Sequence, residues 1–362
     1  MAVASGPSRI LTINPGSTST KVAFFEDDQQ VWFQEIDHEA KELAAFPTMA
    51  AQLPLRQAAL EKALEQHRLD FSTLSAVVGR GGLLHPLPGG TYRVDQGVLG
   101  ELLEARYGQH ASNLGAPLAA AVAARAGCPA FFVDPVVTDE LADVARVSGL
   151  PERPRRSLFH ALNQRAMALK AAAELGRRYQ DLRLVVAHMG GGITVGLHDH
   201  GRIIEVNNAL DGDGPIAAER SGALPLWSAW QAAQRGRVDL GDVLRRRISG
   251  HGGLVDLAGT NDLRRIPYSG RGGLVRRALA LGISREIGRR AAVLGWPVDA
   301  LVLTGGLAHD GPLMRSVLRR TSWVARRHFV YPGESEMLAL AQGGLRVLEG
   351  RETALDYAGT HA

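Results

Sequence analysis

One cysteine, Cys128, stands in the 362 residues, so no intramolecular disulfide can form and the spaced partners of a zinc site are missing. It sits in the apolar stretch 121–133 and reads as a small buried hydrophobe. No uncharged apolar run reaches the roughly 20 residues that cross a bilayer. No basic segment leading into an apolar core opens the chain, because Ser5, Pro7, Ser8 and Arg9 interrupt it. The expectation is a cytoplasmic protein without a membrane partner. Also missing are the Gly-x-x-x-x-Gly-Lys-Ser/Thr loop of P-loop enzymes and a Gly-x-Gly-x-x-Gly turn with an acid about 20 residues on, which argues against a dinucleotide site. No lysine-rich arm accompanies the net charge of +4 and pI of about 9.4. The arginines are scattered or lie in helical patterns such as Arg245-Arg246-Arg247, a solvated face that favours anionic small molecules rather than nucleic acid.

What is present is a pattern that occurs twice. The apolar run Ile10-Leu11-Thr12-Ile13 enters the turn Asn14-Pro15-Gly16-Ser17-Thr18-Ser19-Thr20, a second strand Lys21–Phe25 follows, then an acidic turn and Val31-Trp32-Phe33. In the second half Leu184-Val185-Val186-Ala187 enters His188-Met189-Gly190-Gly191-Gly192-Ile193-Thr194, then Val195–His198, the turn Asp199-His200-Gly201 and Ile203–Val206. β-Branched and aromatic residues bounded by Gly, Asp and Asn predict two hairpin meanders. Helical patterns and short strands such as 75–78 and 300–303 follow each, which predicts two α/β domains of about 180 residues with mixed sheets. Small residues in the two turns let backbone N–H groups approach an anion, and the hydroxyls add donors. Taken singly, each is a tight hairpin turn; two matching loops predict a grip on a polyphosphate. A third turn, Leu303-Thr304-Gly305-Gly306, leaves a strand tip open for a flat ligand.

These turns resemble the phosphate-1, phosphate-2 and adenosine motifs of the acetate and sugar kinase, Hsc70 and actin superfamily. Within it, further stretches are similar to the butyrate branch of the acetate kinase family: Asn14–Lys21, Gly79–Tyr92, His110–Gly115, Val133–Val137, Phe159–Gln164 and His188–Gly192. The likeness runs in order from residue 10 to about residue 347. It implies two duplicated ribonuclease-H-like, actin-like ATPase domains, with the active site in the cleft between them. The expected limits are 1–165 plus about 338–362 for the acyl-substrate domain and 166–337 for the nucleotide-binding domain. The implied reaction is reversible phosphoryl transfer between ATP and a short-chain fatty acid, with Mg²⁺ and with ATP/ADP as co-substrate. A homodimer through the second domain, or an assembly of dimers, is also implied.

The resemblance carries roles onto individual residues. Arg80, in a glycine-bracketed loop, matches an arginine placed against the carboxylate and the transferring phosphoryl group; Arg220, in Ala218-Glu219-Arg220-Ser221-Gly222, matches a second. Asp134 follows a strand and is assigned to substrate orientation or Mg²⁺ placement, and His188 to the phosphoryl group in transit. Asn14, Gly16, Ser17, Thr18, Ser19 and Lys21, with His110 and Asn113, form the implied substrate and phosphate set. Gly190, Gly191, Gly192, Gly305 and Gly306 form the nucleotide set. Glu336, with Asn14, is the implied metal-associated group, and Glu334 competes for the same match. Leu83, Leu84, Leu87 and Pro135–Val137 are the expected walls of a four-carbon acyl pocket, where each buried methylene contributes about 0.8 kcal/mol. Isobutyrate, isovalerate or propionate are alternatives, since one methylene discriminates only modestly.

Two other readings share the scaffold. A sugar kinase needs a carboxylate base for a neutral hydroxyl, a role open to Asp134, although paired arginines suit an anionic acceptor better. A chaperone or filament protein needs large insertions for which this length leaves little room. The run Asp211-Gly212-Asp213-Gly214 resembles the start of a calcium loop, but Gly222 stands where the closing glutamate is required, which rejects that reading.

Overall fold

The computed structural model describes residues 6–357 apart from 236–238, 240, 242–245, 247, 249 and 296–297. Arg245 and Arg247 therefore lie outside the described residues. The chain forms two compact units, Met1–Thr138 with Ser335–Ala362, and Asp139–Glu334. The first unit ends at Thr138 rather than at 165. The reason is local: Ala142 N–H donates to the Ile204 carbonyl and Glu140 accepts from Ile203 N–H, so the segment after 138 packs on the second sheet. The helix Ala161–Glu174, which a limit at 165 would cut, lies whole in the second unit.

In the first unit six strands run in the order β3-β2-β1-β4-β6-β5. They are β1 (Arg9–Pro15), β2 (Ser19–Glu26), β3 (Gln29–Asp37), β4 (Ala76–Arg80), β5 (Thr91–Arg93) and β6 (Ala130–Val133). β1 to β3 form the antiparallel meander, and β1, β4 and β6 run parallel. β1 is buried on both faces, as its near-continuous apolar run requires, whereas β3 at the edge alternates in exposure. On β4, Val78 lies under Gly344 of the helix Glu336–Leu348, while its neighbour Gly79 meets Gly115 of the helix Gly115–Ala126. Successive strand residues face opposite ways, so the two helices cover opposite faces of the sheet.

The second unit repeats the plan in the order β11-β10-β7-β8-β9. Here β7 (Arg183–Met189), β8 (Ile193–Asp199) and β9 (Arg202–Val206) form the antiparallel meander, and β10 (Val298–Gly305) and β11 (Ala325–Pro332) extend it in parallel. β7 to β11 thus take the places of β1, β2, β3, β4 and β6. On β8, Val195 and Leu197 join the apolar core beneath the helix Gly270–Val293. Thr194 and His198 face the other way and bond Gln164 of the helix Ala161–Glu174. The duplication read from two short motifs is therefore a duplication of whole sheets. Among the described residues no helix is long and apolar enough to cross a membrane.

Candidate active site

Each meander ends with a polar pair at its mouth. In the first unit Asn14 stands directly opposite Lys21; in the second His188 stands opposite Thr194. Directly opposed residues of an antiparallel pair share a face, so Lys21 lies on the same side as Asn14. The first loop is closed by Gly16 N–H donating to the Ser19 carbonyl at 2.7 Å, with Ser17 and Thr18 exposed. It is held from behind by Arg56, which is fully buried and donates to the carbonyls of Ser17 (3.0 Å) and Ser19 (3.1 Å) and to Thr20 Oγ1 (3.1 Å).

Arg80 ends β4. A Cβ on Gly79 would overlap the Gly115 carbonyl, and one on Gly115 would overlap the Arg80 carbonyl. Only glycines allow this backbone-to-backbone approach, which seats Arg80 on the start of the helix Gly115–Ala126. Its Nη1 forms an ion pair with Glu336 Oε1 and reaches Asn14 Oδ1 at 3.4 Å, while Asn14 Nδ2 donates to Glu336 Oε2 at 2.7 Å. Glu336 thus belongs with Arg80 and Asn14. Glu334 is placed elsewhere, 3.4 Å from His188 Nε2 in the second unit.

Asp134 is buried just past β6 with φ of 37°, a left-handed conformation uncommon for a non-glycine residue. Its Oδ1 accepts from Gly90 N–H at 2.8 Å, and its own N–H donates to the Gly90 carbonyl at 3.0 Å. The backbone strain and the double tie to Gly90 fix this carboxylate beside the loop that follows Arg80. Asn113 is buried, and its amide ties that loop to the segment after the helix Gln96–Leu103: Oδ1 accepts from Leu83 N–H at 2.9 Å and Nδ2 donates to the Gly108 carbonyl at 2.9 Å. It holds the loop in place. His110 is exposed and caps the turn Ala111–Leu114, its Nδ1 accepting from Ser112 N–H at 3.2 Å. Of the expected acyl walls, Leu84, Leu87, Pro135 and Val137 are buried.

The chain's last described residues grip the same loop. Glu352 accepts from Thr91 N–H at 2.7 Å, Leu355 pairs with Tyr92, and Tyr357 Oη accepts from His85 N–H at 3.0 Å while donating to Glu101 at 2.5 Å. Burial, helped by the bond to Glu101, pushes the Tyr357 phenol well above its ordinary range, so it stays a neutral donor.

In the second unit the glycine turn is closed by Gly190 N–H donating to the Gly192 carbonyl at 2.9 Å and tied by Glu219 N–H to the Gly191 carbonyl at 2.9 Å. The Arg220 guanidinium lies against Gly192, where a Cβ would overlap it. Burial lowers its pKa, opposed by Glu219, yet no carboxylate forms an ion pair with it among the described residues. A half-buried guanidinium with no ion-paired carboxylate is suited to meet an anion. His188 is buried and donates from Nδ1 to Asn163 Oδ1 at 2.8 Å, which leaves Nε2 facing Glu334. The His160 ring stacks on it with centroids 4.0 Å apart.

Beside the turn opens a cavity of about 910 Å³ lined by Gly190, Gly191 and Gly306 together with Asn261–Arg264 and His309–Pro312. Its size suits a nucleotide. Gly305 does not line it. With φ of 93° and a backbone pressed on Met189, it exchanges hydrogen bonds of 3.1 Å with Gly333 and so shapes the strand tip behind.

Asn261–Arg264, Asp310, His160, Asn163 and Arg56 were not among the candidates from sequence. Asp262, which caps the turn Leu263–Arg265, and Asp310, which precedes Gly311 and caps the helix Gly311–Thr321, were the available signals. For a divalent cation, Glu336 and the Asn14 amide oxygen are a hard oxygen set of the kind Mg²⁺ takes. Both Glu336 oxygens are engaged by Arg80 and Asn14, so a metal here has to exchange with those partners. Among the described residues no group of three His, Cys, Asp or Glu forms a metal cage. An ion arriving on nucleotide phosphates with its own waters needs only one such carboxylate.

The acetokinase family model matches residues 152–321. The chain is 48% identical over 355 residues to the probable butyrate kinase of Coprothermobacter proteolyticus, covering 96% of this chain and 99% of that one. It is 44% identical over 354 residues to butyrate kinase 2 of Clostridium acetobutylicum, again covering 96% and 99%. The crystal structure of Porphyromonas gingivalis acetate kinase superposes with a TM-score of 0.73 at 17% identity, over 94% of this chain and 100% of that one, a likeness of fold.

Proposed function

The chain belongs to the acetokinase family, and on that premise we propose that it transfers a phosphoryl group reversibly between ATP and the carboxylate of a short-chain fatty acid, butyrate or a close homologue. The observation that carries the reading is Arg220, a half-buried guanidinium lying against the second glycine turn without an ion-pair partner among the described residues.

The acid arrives already ionised, so no general base is required. A carboxylate oxygen attacks the γ-phosphorus; the new O–P bond forms as the bond to the β–γ bridging oxygen breaks, ADP leaves with that electron pair, and no proton changes hands. Negative charge on the three equatorial oxygens calls for positive charge and hydrogen-bond donors around the phosphoryl group. In this reading Arg80 binds the acid by exchanging Glu336 for the substrate carboxylate, and Arg220 meets the phosphoryl group. His188, held by Asn163 and facing Glu334, is a further group assigned to the phosphoryl group in transit. Asp134 orients the loop that holds the acid, and Gly16–Ser19 with Lys21 bind phosphate in the first unit. Mg²⁺ bound to Glu336 would neutralise charge on the nucleotide phosphates.

In this reading Leu84, Leu87 and Val137, buried in the first unit, wall the acyl chain of an acid longer than acetate. We place the protein in the cytoplasm as a homodimer through the second unit, where Leu226, Trp227 and Trp230 are exposed on the helix Leu226–Gln234. The reverse reaction tests the function: ADP with synthetic acyl phosphates of two to five carbons should yield ATP, most rapidly from butyryl or isobutyryl phosphate. ATP from none of them sinks the proposal.

A further inference from the structure

We infer that Arg276 is a positioning residue for the nucleotide, joining two walls of the 910 Å³ cavity, an inference that rests on reading that cavity as the nucleotide site. Arg276 lies on the helix Gly270–Val293 and is only 8% exposed. Its Nε donates to the Ile266 carbonyl at 2.9 Å and its Nη2 to the Leu263 carbonyl, while Nη1 pairs with Asp310 Oδ2 at 3.1 Å. Leu263 and Asp310 both line the cavity from different elements: one from the turn Leu263–Arg265, the other from the cap of the helix Gly311–Thr321, where Asp310 Oδ1 accepts from Leu313 N–H at 2.8 Å. The Tyr268 ring covers the guanidinium at 3.9 Å from its centroid.

A planar guanidinium can serve two carbonyls and a carboxylate at once; an ammonium cannot reach all three with the same geometry. Arg276 also lines a second cavity of about 160 Å³, and Leu263 and Pro312 line both cavities. The wall they share depends on this side chain for its position. Arg276 lines only the smaller cavity, so its effect on the nucleotide runs through Leu263, Asp310 and Pro312.

The test is ADP affinity measured by calorimetry without acid, together with steady-state kinetics, on the full chain carrying Arg276→Lys and, separately, Tyr268→Leu. The exposed tyrosine gives a variant expected to fold even if the arginine variant does not. Arg276→Lys should weaken ADP binding and raise the KM for ATP about tenfold, and Tyr268→Leu two- to fivefold, with the KM for the acid and kcat within twofold of the unsubstituted protein. Unchanged ADP affinity in the folded Tyr268→Leu protein overturns the role, as does an equal rise in the KM for the acid. Failure of the unsubstituted protein to bind ADP overturns both this role and the functional reading on which it rests.

Discussion

Arg80 and Glu336, 256 residues apart in the chain, form an ion pair whose carboxylate is shared with Asn14. The pair joins the end of β4 to the first residue of the helix Glu336–Leu348, and it places a removable anion on the arginine assigned to the acid.

If the substrate carboxylate replaces Glu336 on Arg80 and Glu336 turns to Mg²⁺, then Glu336→Gln should separate the two events. The Mg²⁺ concentration for half-maximal rate should rise about tenfold, as for loss of one carboxylate, while acid affinity without nucleotide is retained or improved. An unchanged Mg²⁺ dependence would remove Glu336 from the metal.

Gly192→Ala puts a methyl group where the Arg220 guanidinium lies. If Arg220 meets the transferring group as proposed, its displacement should lower kcat about 10²- to 10³-fold, the cost of losing one preorganised donor. ADP affinity should change far less. A variant with wild-type kcat would show that Arg220 needs no support from this turn.

His198 is fully buried between Tyr179 Oη (2.8 Å) and Gln164 Oε1 (3.2 Å), and burial, with Arg165 nearby, holds its pKa down to about 3. The folded protein keeps the ring neutral, whereas the unfolded chain takes up a proton below about pH 6.5. Its contribution to stability is therefore complete above that pH and is lost as pH falls toward 3, with a slope of up to about 1.4 kcal/mol per pH unit. Burial lowers His38 in the same direction, next to Arg56. Urea unfolding at pH 7 and 4.5 should show the loss, and His198→Asn should flatten it by about one proton. A pH-independent stability in the parent protein would contradict the burial argument.

Tyr357→Phe removes the acceptor for His85 N–H and the donor to Glu101 at the loop that follows Arg80. Loss of about 1–2 kcal/mol of stability is expected, since the His85 N–H is left without this partner. The KM for the acid should rise severalfold with the KM for ATP unchanged. An effect on ATP alone would place the loop's function elsewhere.

The sequence revealed what is encoded locally. Alternating apolar runs and small-residue turns announced both meanders, because strand period and turn chemistry are properties of neighbouring residues. Arg80 stood out in the sequence because glycines bracket it; Gly79 marks a close backbone approach to Gly115, while Gly81 packs against Pro135 and Phe132. Features made by distant partners were not legible. The pairing of Glu336 with Arg80 and of Glu334 with His188 separates two glutamates that are near-equivalent in sequence. Asn113 sits in a motif-like stretch, yet its amide is spent on the Leu83 and Gly108 backbone, which only the folded loop reveals. The return of residues 352–357 onto β5 and the bridging by Arg276 are likewise invisible to local patterning.

The most direct test of the central claim is acyl-phosphate formation trapped with hydroxylamine, using ATP, Mg²⁺ and acids from acetate to valerate, on the parent protein and on Arg80→Ala. The account predicts hydroxamate in greatest yield from butyrate or isobutyrate, and a loss of at least about 10²-fold in Arg80→Ala. No hydroxamate from any acid, in a folded protein that binds ATP, would contradict it.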